Sequence, residues 1–426
     1  MGKLEETAEE LYIYGLPLVV TEITHWGSDD LGLKHCRKFP DENNKRVVKL
    51  NTDTLYSLGW TQLARTPYIV HIPDIQERYY LFPVLDAYTN VFESIGTRTP
   101  ERSAGDYLLI LEGEEIPEGY ENYQIIRSRD SLNSILLRIE TRGKEDYELV
   151  NKLQDQFIVR PLYPEKVAPV PESSGIIPAE YVQKLSAKEF FELFAKLSAE
   201  NPIREEAYVE KFRKFGYDRE QGTLNWNELD EEHQKALEVG KASALKKLQE
   251  DRRKDENIYR SNYWAVITGG IGNYGEDYLR RATTALGGWG ANLVQDSAYA
   301  VAYQDAEGEL LTGGNTYLLH INKDEYPHAA VFWSITVYGE PDKFLVKNSI
   351  NRFAVNSHDL DAGRFRKNED GSLDVILSSE QPEEQNWLPI PEKGKNFSLA
   401  LRIYWPDQDT LDGNWTAPYI RKLNRR

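Results

Sequence analysis

Apolar positions first fall on a helical period. Ala8, Leu11, Tyr12, Leu16 and Val19 share one face, with Thr7 as a cap and Glu10 three residues later. Pro17 predicts a break or kink in this helix. From residue 51 the pattern changes to short apolar runs between turn signals: "LYSLGWTQL", "YIVHI", "RYYLFPVLD", "NVFESIG", "YLLIL", "YQIIRS" and "NSILLRIET". That spacing predicts the strands of a sandwich or barrel. Residues 145–156 read as a helix, and the Pro- and Ser-rich stretch 160–178 as a linker. Residues 179–262 read as helices. "SAKEFFELFAKLSAE" opens on a capping box, Ser186 with Glu189, and "NELDEEHQKALEVGKASALKKLQEDRRK" runs from acidic to basic as the helix dipole favours. Residues 263–292 are Gly-rich around a helix at "EDYLRRATTAL". From 296 strands return: "SAYAVAYQD", "TYLLHI", "AVFWSITVY", "SLDVILSS" and "SLALRIYW".

The two strand-rich parts read as copies. "DTLYSLGW" parallels "DSAYAVAY", matching Asp53 with Asp296 and Tyr56 with Tyr299. "YIVHIPD" parallels "YLLHINKD", matching His71 with His320, and "LLRIET" parallels "ALRIYW", matching Arg138 with Arg402. A looser match sets Tyr88 beside Tyr338. The expected divisions are an N-terminal helix and loop (1–50), a first sandwich (51–170), a linker and helical segment (171–292) and a second sandwich (293–426).

Composition narrows the function. The chain is 40% hydrophobic and 28% charged, a globular balance. A net charge of -18 argues against a nucleic-acid partner. No apolar run is long enough to span a bilayer, so no membrane role is expected. The start lacks a basic region followed by an apolar one, which predicts a cytoplasmic chain or the mature form of an exported one. One cysteine, Cys36, excludes an internal disulfide and a thiolate-rich metal site. The single methionine is unusual for this length and suggests a redesigned or reconstructed sequence. Nine Trp and 26 Tyr suit a homo-oligomer.

The candidate chemistry gathers near strand ends. In "NTDTLYSLGW", Asp53 suits a general base and Tyr56 a proton donor or oxyanion ligand. The plain structural alternative is that Asn51 and Asp53 form an Asx-turn, with Tyr56 in the core. In "LDAYTNVF", strand spacing puts Asp86, Tyr88 and Asn90 on one face, either lining a ligand cleft or facing solvent. In "GTRT", beside Thr97, Arg98 could clamp an anion next to Asp53 or Asp86, or form a structural ion pair. His71, His320 and His328 lack metal-ligand spacing and read as satisfied histidines; no metal and no cofactor are predicted.

Several stretches resemble a known family. "YIYGLPLV", "NTDTLYSLGW", "LDAYTNVFESIGTRT" and "AGDYLLI" are similar to the bacterial domain of unknown function DUF1254. "RRATTALGGWGAN", "FWSITVYG", "NSINRF", "NEDGSLDVIL", "NWLPIP" and "LALRIYWPDQDTLDGNW" are similar to its usual partner, DUF1214. The resemblance implies a mainly β protein, with two similar antiparallel jelly-roll-like sandwiches and a helical part between them. It implies no established reaction. The sequence thus leads to two expectations. One is a metal-free, hydrolase-like acid–base enzyme acting on a small polar molecule in a cleft of the first sandwich. In it Asp53, Tyr56, Asp86 and Arg98 do the chemistry, and Asn51, Tyr88, Asn90 and Thr97 bind. The other is a non-catalytic binding or assembly protein.

Overall fold

The computed structural model describes every residue except 1, 44–48, 77, 103, 251–256, 384–385 and 424–426. Parts of two predicted elements, 44–46 of the first loop and 251–254 of the long helix, lie outside the described residues.

The first strand region contains β1 (Lys34–His35), β2 (Thr54–Gln62), β3 (Tyr68–Ile72), β4 (Tyr80–Leu85), β5 (Val91–Gly96), β6 (Gly105–Leu111), β7 (Gln124–Ser128), β8 (Leu132–Glu140) and β9 (Ile158–Pro161). The second contains β10 (Ile258–Ser261), β11 (Trp264–Ile267), β12 (Ser297–Ala302), β13 (Thr316–Ile321), β14 (Ala329–Gly339), β15 (Ala354–Asn356), β16 (Leu373–Ser378), β17 (Trp387–Pro389), β18 (Phe397–Pro406) and β19 (Tyr419–Leu423). The helices are α1 (Lys3–His25), α2 (Tyr147–Gln154), α3 (Pro178–Lys184), α4 (Ala187–Leu197), α5 (Glu206–Arg213), α6 (Glu231–Gln249), α7 (Tyr278–Gly288), α8 (Ser357–Asp361) and α9 (Gln408–Leu411).

The duplication is visible in the strand order. One sheet of the first half runs β1-β2-β8-β4-β5, and its counterpart runs β10-β11-β12-β18-β14-β15. The facing sheets run β7-β6-β3-β9 and β17-β16-β13-β19. Each half closes an apolar core between its own two sheets, around Tyr68, Phe82 and Leu137 in the first and Trp264, Tyr317 and Leu401 in the second. Registers match as well. Tyr56 pairs with Arg138 as Tyr299 pairs with Arg402, and His71 pairs with Asp106 as His320 pairs with Asp374. Both histidines meet their aspartates, at 2.7 and 2.6 Å.

Several details differ from the sequence reading. The sheets are not wholly antiparallel, since β6–β7 and β16–β17 run parallel. Tyr338 does not match Tyr88. Leu81 sits opposite Arg138 where Ser334 sits opposite Arg402, which aligns Tyr338 with Leu85. Residues 86–90 form a turn rather than a strand, with Thr89 at φ 71°. Helix α1 passes through Pro17 without interruption. Every residue from Leu11 to Val20 is buried, and packing on all sides outweighs one missing hydrogen bond. Finally, residues 258–267 form the hairpin β10–β11. Its two-residue turn, Asn262-Tyr263, has both φ values positive (49° and 65°), a turn usually marked by glycine, which this one lacks.

Helix α1 is the axis of the helical part, sharing a core with Phe190, Phe194, Phe212 and Leu237 from α4, α5 and α6. Gly240 sets the α1–α6 approach. A Cβ there would lie 2.5 Å from Ala8 Cβ and 2.6 Å from the Glu9 backbone nitrogen. Gly240→Ala should therefore destabilise by about 2 kcal/mol, despite alanine's better helix propensity. Urea unfolding checks this; a stabilised variant would mean that the two helices can separate at no cost. Among the described residues, no helix is long and apolar enough to cross a membrane.

Candidate functional site

The residues singled out by the sequence separate into two interfaces. Asn51 makes the expected Asx-turn at the start of β2, its Oδ1 accepting the backbone N–H groups of Asp53 (2.7 Å) and Thr54 (3.1 Å). The Asp53 carboxylate is buried against the second sandwich, not in a cleft of the first. Its Oδ2 accepts from Ser334 Oγ at 2.6 Å and from the Tyr404 hydroxyl at 3.0 Å, while Asn51 Nδ2 donates to that hydroxyl at 2.7 Å. Burial raises its pKa, against the pull of Arg402 and the two hydroxyls. Arg402 donates to Lys49 O (2.8 Å), Tyr338 Oη (2.9 Å) and Thr336 Oγ1 (3.3 Å).

The contact is answered from the other side. Asp296, the counterpart of Asp53, accepts from Ser94 Oγ at 2.6 Å and Arg98 Nε at 2.5 Å. Arg98 thus pairs with neither Asp53 nor Asp86. Tyr56 places its ring 4.9 Å from the Arg138 guanidinium, whose Nη2 donates to Gly290 O at 2.6 Å. Tyr79, Leu81, Phe332 and Tyr404 form the apolar centre between the sandwiches.

Asp86, Tyr88 and Asn90 face the helical part instead. Asp86 Oδ1 accepts the backbone N–H groups of Tyr88 and Asn90, both at 2.9 Å, and Asn90 Nδ2 donates to Oδ2 at 2.9 Å. Arg204, just ahead of α5, bridges Asp86 (2.7 Å) and Asp130 (3.0 Å). The Tyr88 hydroxyl donates to Asn201 O. Burial and the neighbouring Asp86 charge push the Asp130 carboxyl up to about 7, against the pull of Arg204. The turn is a dock for the helices rather than an open ligand face.

One open concavity among the described residues is a crevice of about 890 Å³ where the two sandwiches meet, lined by Arg78, Thr97, Glu140, Arg142, His358 and Trp405 among others. Thr97 is the sequence-predicted residue that reaches it; its Oγ1 also accepts the Tyr80 N–H at 3.0 Å. Glu140 Oε1 accepts from Arg142 Nε at 2.7 Å and lies 3.1 Å from His358 Nε2; Oε2 accepts the Tyr79 N–H at 3.0 Å. Burial alone would raise the Glu140 pKa, but these three partners hold it at about 2, so it is an anion at neutral pH. Arg78 donates to Glu140 O and grips Asp146 through both terminal nitrogens. His358 stands on α8, started by Asn356 capping the Asp359 N–H at 2.8 Å, and its ring lies 4.8 Å from that of Phe332. Trp405, on the rim, holds φ 54°, a left-handed conformation that costs a tryptophan energy.

Glu140 could have been found from the sequence. It follows Arg138 by two on β8 and shares its face. His358 gave no signal, being a lone histidine outside any motif. Among the described residues, one group has metal-ligand geometry, His328, Asp407 and Asp409, and both aspartates are exposed.

A protein-family model for DUF1254, a protein of unknown function, matches residues 32–161, and one for DUF1214, also of unknown function, matches residues 296–408. The crystal structure of the VPA0106 protein from Vibrio parahaemolyticus is similar over 99% of this chain and 100% of its own, at 21% identity and a TM-score of 0.70. An uncharacterised protein from Burkholderia cenocepacia covers 99% of this chain and 93% of its own, at 13% identity and a TM-score of 0.45. No curated protein matches. With both domain models matched in order, and the fold shared with a solved structure along its whole length, the chain belongs to the two-domain DUF1254/DUF1214 family of unknown function.

Proposed function

We propose that the chain is an enzyme doing metal-free acid–base chemistry on a small polar molecule in the crevice between the sandwiches. His358 transfers the proton, and Glu140 orients the imidazole. The observation that carries this reading is the 3.1 Å His358–Glu140 approach inside a crevice of ligand size. His358 Nε2 lies 3.1 Å from Glu140 Oε1, and an imidazole beside a carboxylate is a pairing that general acid–base catalysis uses. The lining guanidiniums of Arg78, Arg142 and Arg364 already hold Asp146, Glu140 and Asp359. Charge in the crevice is therefore largely balanced, which favours a neutral, hydrogen-bonding substrate such as an ester, amide or glycoside. A hydrolytic reaction on such a molecule is the simplest fit.

The test is a turnover screen of chromogenic esters, amides and glycosides on the parent chain and His358→Gln. The expected result is one active class whose kcat falls on the order of 100-fold or more in the variant, with KM little changed. Binding without turnover in the parent would move the reading to a non-catalytic binding protein.

A further inference from the structure

We infer that Arg138 anchors a second site between the sandwiches, built for the oxyanion of a small carboxylate with an apolar body. Arg138 is 5% exposed. One bond, from Nη2 to Gly290 O, satisfies part of its guanidinium, and Nε is buried without a partner. Among the described residues, no carboxylate oxygen lies within 4 Å of it. The neighbouring carboxylates are already taken: Asp296 by Arg98, Glu140 by Arg142, and Asp53 by the field of Arg402. Arg138 is therefore a buried positive charge without a carboxylate partner, a costly state unless an anion answers it.

The duplication supplies an internal control. Arg402 stands at the equivalent register position and donates to three acceptors, Lys49 O, Tyr338 Oη and Thr336 Oγ1. The fold can close this position, and in the first half it does not. What surrounds Arg138 suits a ligand. The ring of half-buried Tyr56 lies against it, and half-buried Tyr299 is close enough to act on its charge. Asn292, 1% exposed, donates from Nδ2 to Tyr299 Oη at 3.4 Å and so helps to hold that phenol. Tyr56 also packs with Leu85, Leu136, Trp289 and Leu293, an apolar cluster for the body of the ligand. Guanidinium and two phenols match the donors that a carboxylate needs.

The experiment measures thermal unfolding of the full chain with sodium benzoate, and with inorganic phosphate as a second oxyanion lacking an apolar body. The expected result is that benzoate raises Tm by a few degrees at millimolar concentration and phosphate by less. Tyr56→Phe with Tyr299→Phe, which keeps both rings, should weaken benzoate about tenfold, and Arg138→Gln should abolish the effect. His358→Gln should leave it intact, which separates this site from the crevice. If Arg138→Gln does not fold, the double phenylalanine variant carries the test. The proposal is overturned by no benzoate shift, by a shift equal to that of phosphate, by one that survives loss of both phenols or of the guanidinium, or by one that His358→Gln removes.

Discussion

Replacing Asp53 with alanine should lower the unfolding free energy by about 4 kcal/mol, because one carboxylate oxygen serves both sandwiches. Without it, the hydroxyls of Ser334 and Tyr404 lose their acceptor, and the buried Arg402 guanidinium loses a charge that acts on it. Asp53→Asn keeps the size and one acceptor, and burial already disfavours the charge, so it should cost about half as much. Urea unfolding of the two variants, with Arg402→Met and the double variant Asp53→Ala/Arg402→Met, gives the coupling directly. A coupling energy near zero, with Asp53→Ala costing under about 1 kcal/mol, would refute this structural role and favour a chemical role for Asp53.

Arg204→Met should cost about 3–5 kcal/mol at pH 8 and roughly half of that at pH 5. Arg204 is the cation bridging Asp86 and Asp130, and its loss leaves both buried carboxyls unanswered. The pH dependence follows from Asp130. Its ordinary pKa is 3.8, and in the folded chain it is pushed up to about 7. Between those values the folded chain binds more protons than the unfolded one, so the parent itself should lose stability as pH rises from about 4 to 7. At pH 5 the folded Asp130 is already protonated, and the missing guanidinium matters less. Its buried, partnerless Oδ1 is the atom left to carry that proton. Equal losses at the two pH values would show that Arg204 acts through packing on Tyr88, over whose ring it lies at 5.7 Å, rather than through charge.

The strands, the long helices and the duplication were legible because each half repeats its alternation, and Arg138 and Arg402 stand at the same register. The hairpin at 258–267 was not, because its turn lacks glycine. Nor was the 86–90 turn, whose polar alternation imitates a strand. The site was less legible still. Asp53 and Arg98 stand out in the sequence as chemistry-bearing, but their partners, Ser334 and Asp296, lie 281 and 198 residues away. Local spacing carries no information about such contacts. His358 enters the crevice only because the second sandwich packs on the first.

The paired arginines carry one more consequence. Arg138 reaches Gly290, just ahead of β12, and Arg402 reaches Lys49, just ahead of β2. This is the reciprocity that an isologous contact between identical subunits shows, here between the two halves of one polypeptide. In a dimer of identical subunits every substitution appears twice, so a pocket cannot open on one side while its twin stays shut. Fusion removes that constraint. Arg402 keeps the joint closed while Arg138 stands with its Nε unmet, an asymmetry that a dimer with exact two-fold symmetry could not hold.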